Sequence, residues 1–147
     1  MQTFLPYEDF ERTAAVLDAR RLGKQRVEAL QIVHAMHDPN YGWRHHPVVK
    51  MWRGHEEALV AYGLAVTREW IRRGFNDTVL DQLLAHLHGE PERSQAELAA
   101  AGLLPPWLGD PELHRRYRSA LVRKDPAYYR GRFPDVPDDL EYLWPVR

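Results

Sequence analysis

From Tyr7 onward the apolar positions of this chain recur every three or four residues, the spacing of one face of an α-helix, and nowhere do they alternate as in a half-buried strand. Tyr7 to Asp18 predicts a short amphipathic helix, with Asp18 placed to cap a second helix running to about His37. In that second helix Leu22, Val27, Ala29, Leu30 and Val33 are read as the buried side, opposite Glu28. Arg26 projects into the apolar arc, about 160° from Glu28, and must snorkel or meet a buried partner. Asp38-Pro39-Asn40-Tyr41-Gly42 is a turn cluster. Pro47 suits a first helical turn and predicts one long helix through about Arg73, carrying Trp52, His55, Leu59, Tyr62, Val66 and Trp70 as a core stripe. Gly74 fits the left-handed position that ends it.

Beyond Asn76 and Asp77, which can cap, Val79 to Leu87 predicts a further helix, and Ser94 with Glu97 has capping-box spacing for a short one ending near Gly102. Leu103 to Gly109 reads as a stiff apolar connector. Asp110-Pro111 then opens a basic helix to about Lys124, and Asp125-Pro126 restarts the chain into Tyr128 and Tyr129. Pro134 to Arg147 holds three prolines and no sustained period, which predicts an irregular arm packed through Tyr142, Leu143 and Trp144. The expected architecture is all-α: a compact single-domain helical bundle over residues 1–147 with an irregular C-terminal arm.

Composition narrows the function classes. The 147 residues are 44% hydrophobic, with 5 Trp, 7 Tyr and 4 Phe, enough for one sizeable core. The absence of cysteine excludes disulfides and thiolate metal sites. No apolar run approaches the roughly 20 residues of a membrane span, and MQTFLPYEDFER lacks the basic start and apolar stretch of a signal peptide. A cytoplasmic monomer away from membranes is expected. The net charge of -1 conceals a division. Arg12 to Arg53 carries eight Lys or Arg against three acids, and His114 to Arg132 seven against one, while Asn76 to Glu112 carries seven acids against one Arg. Two readings follow: a positive face that binds phosphates, or basic helices that pair with acidic ones.

The segment LDARRLGKQRVEAL, Leu17 to Leu30, places one acid among cations and amides: Arg21, Lys24, Gln25 and Gln31 project within about 60° of Glu28. Such a carboxylate can serve as an acid/base or cation-stabilising group, or it can simply pair with Lys24 at i,i+4. There is no Gly-rich phosphate loop, nucleophile elbow or HExxH helix. Among eight histidines, His34 and His37 stand at i,i+3 and His45 and His46 are adjacent, but no spacing forces a metal site. His55 reads as a hydrogen-bonded core residue and His114 as a surface or phosphate-contacting one.

Colinear with this pattern are three segments: the second helix with its acid, the run from Val49 through Arg73-Gly74-Phe75-Asn76, and RSALVRKDPAYY from Arg118 to Tyr129. In that order they resemble the pyrimidine-dimer DNA glycosylases of the phage endonuclease V type, nearest to a bacterial branch beginning MQTFLPY. The resemblance implies an all-α enzyme without metal or other cofactor, acting on damaged or modified double-stranded DNA. It also implies a base-excision glycosylase with abasic-site lyase activity. The α-amine of Met1 would attack the sugar C1′ and form a Schiff base, assisted by Glu28 as the catalytic carboxylate. An α-amine suits this role because it ordinarily titrates near pH 8, far below a lysine, at about 10.4. The DNA contacts so implied are Arg20, Arg21, Lys24, Gln25 and Arg26 on the second helix, Arg118, Arg123 and Lys124 on the basic helix, and Tyr128 and Tyr129 as stacking residues.

Two positions depart from the family pattern. Gln2 replaces a small second residue and so implies that Met1 is retained, and Val27 stands where an arginine usually precedes the glutamate. Arg26, one residue earlier, is rotated by about 100° from that place. The substrate is a pyrimidine dimer or another damaged base. A non-catalytic helical module that binds nucleic acid or protein is the alternative, and a histidine-based metal hydrolase a third reading.

Overall fold

In the computed structural model, which describes residues 1–146, eight helices follow in the order α1 (Phe10–Val16), α2 (Ala19–His37), α3 (Pro47–Trp52), α4 (Glu56–Arg72), α5 (Leu80–Ala85), α6 (Gln95–Ala100), α7 (Pro111–Lys124) and α8 (Pro126–Tyr129). No strand forms among the described residues. The starts are set by side-chain caps. Asp9, Asp18, Asp110 and Asp125 each accept a backbone N–H of the first turn they precede. Ser94 and Glu97 close the expected capping box of α6. Asp77 caps α5 from outside, its carboxylate taking the N–H groups of Val79 and Leu80 at 3.0 and 2.8 Å.

The long helix expected from Pro47 to Arg73 is two helices. Gly54 takes φ +86°, a left-handed conformation that no other residue of the segment adopts, and the chain turns there before α4 begins. The apolar period runs through the break because Trp52 and Leu59 both face the core, so periodicity could not reveal it. Val27 is a second correction. It lies about 160° from Ala29, the centre of the buried side of α2, and is 39% exposed. At the far end of α4, Gly74 has φ +95° and ends the helix as expected.

α2 and α4 pack along their lengths with Leu22, Ala29, Ile32 and Val33 against Leu59, Tyr62 and Val66, all buried. Gly63 allows the approach: a Cβ there would stand 3.2 Å from the Ala29 Cβ. The C-terminal arm is irregular, as its prolines predict. It lies along α7, where Arg123 donates to the Asp138 and Leu140 carbonyls and the Ser119 hydroxyl accepts from the Leu140 N–H. Tyr142, Leu143 and Trp144 pack against the core.

What periodicity leaves undescribed is the first six residues. Residues 2–6 are buried, although they form no helix. Each polar backbone group needs a partner there, and side chains supply them. Gln25 takes the Phe4 N–H at 2.8 Å, Tyr62 donates to the Phe4 carbonyl at 2.7 Å, His114 bonds the Leu5 carbonyl at 2.8 Å and Arg118 that of Pro6 at 2.7 Å. The N-terminal segment is thereby clamped between α2, α4 and α7.

Candidate active site

Glu28 stands in the middle of α2, half-buried, where the helix passes the start of the chain. Its Oε2 accepts the Gln2 backbone N–H at 3.3 Å and the Gln25 Nε2 at 2.9 Å. Gln25 is 1% exposed and uses its whole amide: Nε2 also donates to the Gln2 carbonyl at 3.0 Å, while its oxygen accepts from the Phe4 N–H and lies 2.6 Å from the Tyr62 hydroxyl, whose one proton it shares with the Phe4 carbonyl. One side chain therefore fixes both the carboxylate and the first peptide units. Burial pushes the Tyr62 phenol well up, with further contributions from Tyr117 and Glu28, so it remains a donor.

Met1 and Glu28 line one cleft of about 380 Å³. Arg20, Arg21 and Lys24 of α2 and Lys124 at the end of α7 complete its charged wall, with Gln2 and Tyr142 beside them. Arg21 is engaged, its guanidinium 3.3 Å from Asp18 and 4.0 Å from Asp125. Among the described residues Arg20, Lys24 and Lys124 pair with no carboxylate within 4.0 Å, and Glu28 pairs with no cation. The expected Lys24–Glu28 ion pair is thus not formed. Three free cations around an isolated carboxylate make a cleft that attracts phosphates and retains one basic group at its floor.

The other residues expected at DNA are elsewhere or occupied. Arg26 meets the buried partner its position demands, Asp77, at 2.5 Å, and lies over the Trp70 ring at 4.7 Å. Gln25 lines the cleft but is buried and spends its whole amide within the protein. Tyr129 is fully buried; its hydroxyl accepts the Asp18 N–H at 2.9 Å and donates to the Asp18 carboxylate, so it anchors the start of α2 and offers no ring to a base. Tyr128 is half-buried, with the Arg132 guanidinium 3.7 Å above its ring. Arg118 and Arg123 hold the Pro6 carbonyl and the C-terminal arm, and neither lines the cleft. Basic helix α7 thus serves mainly as a clasp for irregular backbone. His114 is buried rather than surface-exposed.

Sequence reasoning missed Gln2, Tyr142 and His46. The His46 ring accepts the Val48 N–H through Nδ1 and packs on Trp43 and Trp144 at centroid distances of 5.5 and 5.7 Å. Its pKa is lowered, first by burial and then by the positive chain terminus, against an opposing pull from Glu28. No local signal pointed to it, since its nearness to residue 1 is tertiary. Among the described residues no group of three His, Asp or Glu is arranged to hold a metal ion.

The family model for pyrimidine dimer DNA glycosylases matches residues 1–83, more than half of the chain and the part that carries Met1, Gln2, Gln25 and Glu28. Searches of the curated proteins and of the solved structures found no match.

Proposed function

The chain belongs to the pyrimidine dimer DNA glycosylase family, and from that premise we propose that it excises the damaged base and then cleaves the strand at the resulting abasic site through a Schiff base on the α-amine of Met1. The observation that carries this reading is the cleft shared by Met1 and Glu28, with Arg20, Lys24 and Lys124 unpaired at its wall. The uncharged amine forms a bond to C1′ as the C1′–N1 bond breaks and the base departs with the bonding electrons. Opening of the C1′–O4′ bond and loss of the amine proton leave an imine, protonated as iminium. Removal of a C2′ proton expels the 3′ phosphate, and water then hydrolyses the imine and restores the amine.

Glu28 fits two needs of that sequence. Its carboxylate stabilises the cationic sugar and iminium, and it carries protons to O4′ and from C2′. Gln25 and the Gln2 N–H hold it in one orientation, so little reorganisation accompanies the charge change. Arg20, Arg21, Lys24 and Lys124 hold the phosphates flanking the lesion, and Tyr128, rather than Tyr129, is the aromatic contact. Arg26, Arg118 and Arg123 act on the fold.

The test is borohydride trapping on a duplex with one abasic site. Protein with a free α-amine is expected to form a covalent adduct, and protein with that amine blocked to form none. Glu28→Gln should abolish strand cleavage while DNA binding stays within severalfold. Well-folded, DNA-binding protein that forms no adduct would overturn the amine mechanism and favour a binding module.

A further inference from the structure

Gln2 directly follows the proposed reacting amine and is 6% exposed in the wall of the same cleft. The amide orientation is fixed. Its Oε1 accepts the Thr3 backbone N–H at 2.9 Å and the Tyr117 hydroxyl at 3.0 Å, and a backbone N–H can only donate, so the oxygen must face it. Tyr117 is itself buried, and burial raises its phenol well above the usual range, which keeps it a donor. The other tip of the fork, Nε2, is buried with no hydrogen-bond partner. Leaving a buried amide N–H without an acceptor destabilises the fold, so one kept beside the cleft is a donor awaiting an acceptor.

The reaction supplies one. When C1′–N1 breaks, the pyrimidine leaves with the electron pair, and the negative charge spreads to the carbonyl oxygen at C2, one bond from N1. We propose that Gln2 Nε2 donates a hydrogen bond to that C2 oxygen as the base leaves, which makes Gln2 a catalytic residue for base release. This rests on the Met1 mechanism above. Nε2 belongs to the residue that follows the nucleophile, so donor and amine line one cleft. An uncharged donor also favours the charged leaving base without neutralising Glu28. The Tyr117 hydroxyl, donating to Oε1, polarises the amide toward a stronger N–H donor.

The role separates the two halves of the reaction, because a pre-formed abasic site has no base to expel. Single-turnover cleavage of the glycosidic bond in a thymine-dimer duplex, read as free thymine after photoreversal of the cyclobutane ring, is compared with borohydride trapping on an abasic duplex. Gln2→Met, close in volume and large enough to keep Met1, is expected to slow base release about 100-fold, the scale of one preorganised oxyanion donor. Its loss at the abasic site should be at least tenfold smaller. Gln2→Glu keeps an oxygen for Thr3 and Tyr117 while removing the donor, so it carries the test should Gln2→Met melt. Equal losses on both substrates, or no loss in base release, overturn the assignment. Wild-type protein that gives no adduct on the abasic duplex overturns the amine mechanism instead, and is read from that arm alone.

Discussion

Gln25 donates to Glu28 at 2.9 Å while its oxygen takes the Phe4 N–H at 2.8 Å, so one buried amide couples the carboxylate to the start of the chain. Replacing it by Met keeps the volume but leaves the Phe4 N–H and the Gln2 carbonyl without partners. At about 1–3 kcal/mol for each buried group left unsatisfied, urea unfolding of Gln25→Met should show a loss of about 2–6 kcal/mol. Imine trapping should fall at least tenfold at a temperature where the variant remains folded, since Glu28 loses its fixed orientation. Unchanged trapping would show that Glu28 needs no such support.

Arg26 is expected to matter to the fold and not to DNA. Its side chain is 14% and that of Asp77 6% exposed, and Asp77 also caps α5. Removing the arginine strands a buried carboxylate, so Arg26→Ala should cost about 3–5 kcal/mol in denaturant melts. Its duplex affinity, measured on the folded fraction, should match wild type. A large affinity loss would return Arg26 to the DNA surface.

The division of cations yields a salt experiment. Each phosphate that a variant no longer neutralises lowers the slope of log K against log salt by about 0.9. Lys24→Ala and Lys124→Ala should each lower the slope by about that amount. Arg123→Ala should leave it unchanged and loosen the C-terminal arm, because its guanidinium serves the Asp138 and Leu140 carbonyls.

His114 predicts acid sensitivity. Its Nε2 accepts the Gly109 N–H at 3.0 Å while Nδ1 faces the Leu5 carbonyl at 2.8 Å, an arrangement that requires the neutral ring protonated on Nδ1. Its pKa is lowered, mainly by burial, with the Leu5 hydrogen bond opposing. In the unfolded chain it titrates at about 6.5, so the unfolded state takes up the proton first as pH falls. Stability contributed by the neutral ring is complete above that pH and declines below it, toward the lowered folded value. Titration of the His114 ring by NMR should give a midpoint below 6.5, and the melting temperature should drop across the same window. A midpoint above 6.5 would refute this.

Helices and their ends were legible because they obey local rules: Asp18, Ser94 and Asp110 cap where their spacing demands, and Gly74 terminates α4. Gly54 misled, since a left-handed residue can interrupt a helix without disturbing its apolar period. The charge of Arg26 signalled a buried partner, and Asp77 is it. The charge of α7 signalled DNA, yet carbonyls of the arm absorb Arg123 and the Pro6 carbonyl absorbs Arg118, because irregular backbone needs donors that no sequence period announces. Glu28 was visible as an isolated acid. The roles of Gln2 and His46 were not, because the Tyr117 hydroxyl that holds the Gln2 amide and the nearness of His46 to the chain terminus both come from the tertiary fold.

The burial of residues 2–5 also bears on how the protein comes into being. Gln2 bonds Tyr117, and Leu5 bonds His114, across separations of 115 and 109 residues. This segment is made well before α7 and finds these partners only after α7 has emerged, so the cleft is among the last things to form during synthesis. A chain that ends before α7 lacks the Tyr117 and His114 side chains that hold residues 2 and 5 in place.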